Sequence, residues 1–107
     1  MAARPGEGGH FAEIVAGAWD FVRINRRYAR HLKVLAERPG GALRNDAAAK
    51  ALLRWAAAER ETWLDAVTND PLLPGRILPS DYLGQQAWWR RVEVLRDASR
   101  QIGRAHV

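Results

Sequence analysis

The sequence contains no cysteine, which excludes disulfide staples and thiolate metal sites and points to a reducing compartment. No apolar run approaches the ~20 residues of a membrane span, and the N-terminus lacks the apolar segment of a secretory signal. A cytoplasmic protein is expected. The three histidines, His10, His31 and His106, stand far apart, without the His-Glu or i, i+4 His pairing of a metal site. Glu59, Glu61 and Asp65 cluster, but no Glu-x-x-His accompanies them, so a di-iron bundle is excluded. Also missing are a Gly-x-Ser-x-Gly elbow, a phosphate-binding glycine loop and a dinucleotide fingerprint. With no positioned acid, base or nucleophile, the expectation is a protein that is not an enzyme, with no cofactor and no metal.

What is present is basic charge and tryptophan. Seventeen basic residues, fifteen of them arginine, stand against twelve acidic ones, for a formal charge of +5, and the 107 residues include five tryptophans. Such a surplus favours anionic partners: nucleic acid, a phosphorylated ligand or an acidic protein surface. The plainer reading, a solvated surface with acids interspersed, stands beside it. The length fits one domain that buries about 65% of the surface of its unfolded chain.

Residues 1 to 9, with Pro5 and three glycines, read as a disordered lead-in. From Phe11 onward, Phe11, Ile14, Ala18, Phe21, Asn25, Tyr28, Leu32 and Leu35 recur at spacings of three and four, flanked by Val15, Val22, Ala29 and Ala36. The spacing predicts a long amphipathic helix ending before Pro39, with Gly17 its weak point. Its opposite face carries Arg23, Arg26, Arg27, Arg30 and Lys33. Asn25 falls on the apolar face and reads as a satisfied or partly exposed core amide, and Tyr28 reads as core. Pro39-Gly40-Gly41 forces a turn.

Asn45 or Asp46 can cap a second helix running to about Asn69. Ala49, Leu52, Leu53, Ala56, Trp63, Leu64 and Val67 give its apolar face, interrupted by Arg60. Trp55 lies off that stripe and either covers an edge of the core or faces a partner. A last helix, started by Ser80 or Asp81 and established by Gln85, places Trp88, Val92, Leu95, Ser99 and Ile102 on its apolar face. Arg90, Arg91, Arg96 and Arg100 fall mostly outside it. Trp88 and Trp89 point about 100° apart, so one is core and the other seals a rim or meets a partner. Residues 103 to 107 should fray.

Between these helices lies Asp70-Pro71-Leu72-Leu73-Pro74-Gly75-Arg76-Ile77-Leu78-Pro79-Ser80-Asp81-Tyr82-Leu83-Gly84. Three prolines and two glycines stop a helix from passing through. The apolar Leu72, Leu73, Ile77, Leu78, Tyr82 and Leu83 between the breakers argue for a rigid connector pressed onto the bundle rather than a solvated linker. The fold class expected is therefore all-α: a small bundle of three main helices, with a fourth short N-terminal helix over 10 to 17 left open, and a proline-rich connector packed across it.

This wording resembles the C-terminal domain of the PaaX family, transcriptional repressors that respond to phenylacetyl-CoA. The residues that carry the resemblance are Asp70, Pro71, Leu73 and Pro74, then Leu78, Pro79, Asp81, Tyr82 and Gly84, preceded by Trp19-Asp20-Phe21 and Tyr28. It covers residues 19 to about 102 of a single domain spanning 10 to 102, and would start the first helix near Trp19 or Asp20. Where the family usually writes Trp-Pro before the final glycine, this chain has Tyr82-Leu83. The residues ahead of Trp19 are too few for the N-terminal winged helix-turn-helix. The resemblance implies a regulatory interaction or effector-response module connected with transcription and repression, acting by self-association or a protein partner, with an aryl-CoA as possible effector. Direct sequence-specific DNA binding is not expected. The candidate partner or ligand surface is Arg23, Arg27, Arg30, Trp55, Trp88, Trp89 and Arg90. The alternative is a basic helical domain that binds nucleic acid directly through its arginine-rich helix faces.

Overall fold

The computed structural model describes residues 19–40 and 43–105. Three α-helices, α1 (Phe21–Ala36), α2 (Asp46–Thr68) and α3 (Gly84–Ala105), make up most of these, with a 3₁₀ turn at Gly75–Ile77 between α2 and α3. No strand occurs among the described residues, and no helix is long and apolar enough to cross a membrane. The expected all-α bundle is what forms. The lead-in over 1–9, the short helix considered over 10–17 and the last two residues lie outside the described residues.

The helix starts follow from side-chain caps. Asp20 accepts from the backbone N–H of Arg23 at 3.0 Å, and Asn45 accepts from that of Ala48 at 2.9 Å, each satisfying a donor that the first turn would leave orphaned. At the end of α1, the indole of Trp55 donates to the Val34 carbonyl at 2.8 Å. That bond ties the α1 terminus to α2.

One spacing recurs in all three helices. The buried residues of α1 are Phe21, Ile24, Tyr28, His31 and Leu35, and those of α2 are Leu52, Trp55, Glu59, Thr62 and Ala66. Both run in steps of three, four, three and four, the heptad seam of a bundle packed at a shallow crossing angle. In α3 the inward positions Gly84, Ala87, Arg91, Val94 and Ala98 follow the same steps. Helix α1 packs closely along both α2 and α3, while α2 and α3 meet through long side chains rather than by close backbone approach.

The seam is rotated from the expected apolar stripes, because His31, Glu59 and Arg91 point inward. Val22, Leu53 and Leu64, expected on or beside the apolar faces, are exposed, as are Ala29 and Ala36. In α3 the small residues Ala87 and Ala98 are buried, whereas Trp88 is 47% exposed, Trp89 66% exposed and Ser99 also turned outward. Neither adjacent tryptophan is core. Trp55, a candidate for partner contact, is instead buried between α1 and α2.

The core has two apolar clusters. Phe21, Ile24, Tyr28, Ala66 and Ala87 form one, covered by Leu73, Ile77, Leu78, Tyr82 and Leu83 of the connector. Leu35, Leu52, Trp55 and Ala98 form the other. The connector is thus part of the core at one end of the bundle.

Asn25 shapes the end of that connector. Its amide donates to the Asp81 carbonyl and accepts from the Leu83 N–H, both at 3.0 Å. The Asp81 carbonyl, which a helix begun at Ser80 or Asp81 would use, is engaged by Asn25 instead, and α3 begins at Gly84. At the far end α3 runs to Ala105. One interior glycine costs only about 1 kcal/mol relative to alanine, too little to stop a helix of that length.

Candidate binding groove and its buried supports

A groove of about 470 Å³ opens between α2 and α3. Trp63 and Val67 of α2 form one wall, Gln85, Trp88 and Trp89 of α3 the other, with Leu72 and Tyr82 of the connector at one end and Tyr28 of α1 beneath. Five of the nine lining residues are aromatic. Leu72, Trp88 and Trp89 are exposed, at 63%, 47% and 66%, so the groove presents apolar surface to solvent.

Beneath it lie two polar layers, each centred on a buried carboxyl group. In the first, Asp70 accepts from the hydroxyls of both Tyr28 and Tyr82 through one oxygen, the latter at 2.5 Å, and from the Leu72 N–H at 2.8 Å through the other. The end of α2, the connector and α1 are joined at one side chain. Burial raises both phenols above their ordinary value, and donation to Asp70 adds to the effect; Tyr82 is pushed up to about 12, and Tyr28 rises as well.

The second layer is His31, Glu59 and Arg91. Glu59 is 1% exposed and His31 fully buried. The Glu59 carboxylate accepts from His31 Nε2 at 2.8 Å and from Arg91 Nε and Nη2 at 2.6 and 3.2 Å, a fork that matches the planar guanidinium. Donation to Glu59 assigns the imidazole proton to Nε2 and leaves Nδ1 buried without a partner. Trp63 sits between the layers and the groove: its ring centroid lies 6.2 Å from that of Tyr28, 5.1 Å from His31 and 5.9 Å from Trp88, and Arg91 stacks over it at 5.2 Å.

The connector residues singled out from the sequence take distinct roles. Asp70 is the hub just described. Leu73 and Leu78 pack on the core. Pro74 precedes the 3₁₀ turn, and the Pro79 carbonyl accepts from the Tyr82 N–H at 3.1 Å. Pro71 is half-buried and Asp81 exposed, its carbonyl held by Asn25. Gly84 makes room for the Tyr82 phenol, which a Cβ at that position would overlap. Leu72 has φ of 54°, a left-handed conformation that costs a non-glycine residue about 1 to 2 kcal/mol.

The candidate surface residues do not converge on one place. Trp88 and Trp89 line the groove, and Arg90 beside them pairs with Glu93 at 2.7 Å. Arg23 and Arg30 lie on the exposed face of α1, and Arg27 lies 3.7 Å from Asp65. The inward layer of His31, Glu59 and Arg91 was not anticipated; its signal was the shared heptad spacing, in which each of the three occupies a seam position. Among the described residues no group of His, Asp and Glu is placed to hold a metal ion. No family model, curated protein or solved structure matches this chain.

Proposed function

We propose that the chain is a cytoplasmic regulatory module of the kind the PaaX resemblance implies, which associates with a second copy or another protein through the groove between α2 and α3 and carries out no catalytic step. The observation that carries the reading is the groove itself. Leu72, Trp88 and Trp89 offer large apolar side chains to solvent on a framework that has a complete core without them, and tryptophans at the rim of an open cleft are the residues that anchor interfaces. Leu72 adds a further mark, being both strained and exposed; strain retained at a surface position points to a role beyond folding. An aryl-CoA effector fits the same reading, its aryl ring among the tryptophans.

The test is mass-resolved size-exclusion chromatography of the chain at low and high salt, with and without phenylacetyl-CoA. A dimer that resists salt, or a shift on adding the acyl-CoA, is expected, and Trp88→Ala with Trp89→Ala should remove either behaviour while the circular dichroism stays helical. A chain that remains monomeric under all conditions would overturn self-association and the acyl-CoA response, leaving another protein as the only partner of the groove, and an oligomer indifferent to the two tryptophan substitutions would overturn the groove as its site.

A further inference from the structure

The charge of this chain is unevenly placed. Between Phe21 and Ala36, α1 carries Arg23, Arg26, Arg27, Arg30 and Lys33 and no acidic residue. Seventeen basic residues less those five leave twelve, against twelve acidic residues in the chain. The whole formal surplus of +5 therefore resides on one helix.

It also resides on one face. At about 100° per residue the five side chains fall within an arc of about 120°, and from Arg23 to Lys33 they cover about 15 Å of helix. Arg23, Arg26, Arg30 and Lys33 are exposed, and among the described residues none of the four has a carboxylate within ion-pair distance. Arg27 alone leans toward α2, 3.7 Å from Asp65. Asp20 and Glu37 stand only at the two ends, and the Asp20 side chain is engaged as the helix cap. On α3, by contrast, Arg90 pairs with Glu93 and Arg100 with Asp97.

We propose that the outward face of α1 docks on the phosphate backbone of duplex nucleic acid, without regard to base sequence. Four of its five cations are arginine, whose planar fork fits phosphate oxygens. A single strand of a duplex presents one negative charge per about 3.4 Å of axis, so about 15 Å of helix laid along it meets on the order of four phosphate charges. Within α1 the one large apolar side chain exposed is Val22, so the face has no apolar strip with which to enter a bilayer. It contains no aromatic anchor of a protein interface either. This surface is separate from the groove, so either proposal can fail without the other.

The experiment is fluorescence anisotropy of the purified full chain against two labelled 20-base-pair duplexes of unrelated sequence, titrated at salt concentrations from 50 to 200 mM. Four free cations releasing counterions give a slope near −0.9 per contact, a loss of about 150-fold in affinity across that range. The two duplexes should bind alike within about twofold, the backbone contributing no sequence information. Arg26→Gln with Arg30→Gln should halve the slope, leaving a loss of about twelvefold, with the melting temperature unchanged because both side chains are exposed. Arg54→Gln with Arg60→Gln, which removes the same charge from the exposed side of α2, should leave the slope near that of the parent. Absence of binding at 50 mM salt overturns the proposal. So does an equal effect of the α2 pair. So does binding to vesicles of phosphatidylserine and phosphatidylcholine in equal parts that depends on Arg26 and Arg30 when duplex binding does not.

Discussion

Replacing Glu59 by Gln, in a cycle with Arg91→Met, probes the centre of the bundle. Glu59 accepts three hydrogen bonds from His31 and Arg91; its side chain is 2% exposed, and that of Arg91 20%. Glutamine keeps the shape but loses the charge and turns an NH₂ group toward a donor. It leaves a guanidinium facing no anion in a site with little water. Breaking a buried pair from one side costs about 3 to 5 kcal/mol, against a total stability of about 5 to 15 kcal/mol for a domain of this size. The melting temperature should fall by on the order of 15 to 25 °C. Arg91→Met should cost a similar amount, because the Glu59 carboxylate is then held by His31 alone.

The double change, Glu59→Gln with Arg91→Met, removes both charges and closes the cycle. What remains unsatisfied is the glutamine NH₂, worth about 1 to 3 kcal/mol. The double variant should therefore be more stable than either single variant. Urea unfolding followed by circular dichroism at 10 °C measures all of them, with the slope against urea checked for constancy. If both singles lie within about 1 kcal/mol of the parent, or if the double equals the sum of the singles, the layer is not the coupled network described.

Three further outcomes follow from the connector. Gly84→Ala should lower stability by about 1 to 3 kcal/mol, since the new methyl meets the Tyr82 ring, and a midpoint unchanged in urea would show that the ring moves aside freely. Leu72→Asn should raise stability by about 1 kcal/mol by relieving the left-handed leucine, and the same change should weaken any association through the groove; a loss of stability would contradict the strain. Raising the pH should destabilise the fold from about pH 10 upward. In the folded chain Tyr28 and Tyr82 hold their protons above the ordinary phenol value, Tyr82 to about 12. The unfolded chain thus loses protons first, and each tyrosine withdraws about 1.4 kcal/mol per pH unit through that window. Their contribution is fully present below pH 10. In the Tyr28→Phe, Tyr82→Phe variant the drop should be smaller by both contributions; an identical pH profile would show that the phenols are not the cause.

The bundle was legible in the sequence because its punctuation is local. Asn45 and the run of prolines act through their own backbone and through neighbours a few residues away, so the limits of α2 could be read within a residue or two, whereas apolar spacing carried the first helix back to Phe11 and only the family resemblance placed its start near Asp20. The face of each helix was less legible, because an apolar count treats a histidine, a glutamate and an arginine as outward residues. Here the Glu59 carboxylate pairs with both His31 and Arg91 across three helices. No window along the chain contains that fact. Leu53 and Leu64 were then drawn onto the α2 stripe in their place, and Trp55 was pushed off it. Trp88 misled for a different reason: large aromatics read as core, but Ala87 lets α3 approach α1 closely and rotates the tryptophan to the groove.

The two polar layers also bear on how the groove works. A cleft whose two walls meet only through side chains would ordinarily be free to open and close. Here Glu59 bridges α1, α2 and α3, and Asp70 joins the end of α2 to α1 and to the connector that leads into α3. Trp63, packed among Tyr28, His31, Trp88 and the Arg91 guanidinium, is held by both layers. A site whose walls are fixed by supporting hydrogen bonds loses less freedom on binding than one that must be ordered. Docking at Trp88 and Trp89 should then proceed with little backbone movement, and a change in the Glu59 layer should weaken association even where the groove residues themselves are untouched. That coupling distinguishes a preformed groove from a surface where two tryptophans happen to be exposed.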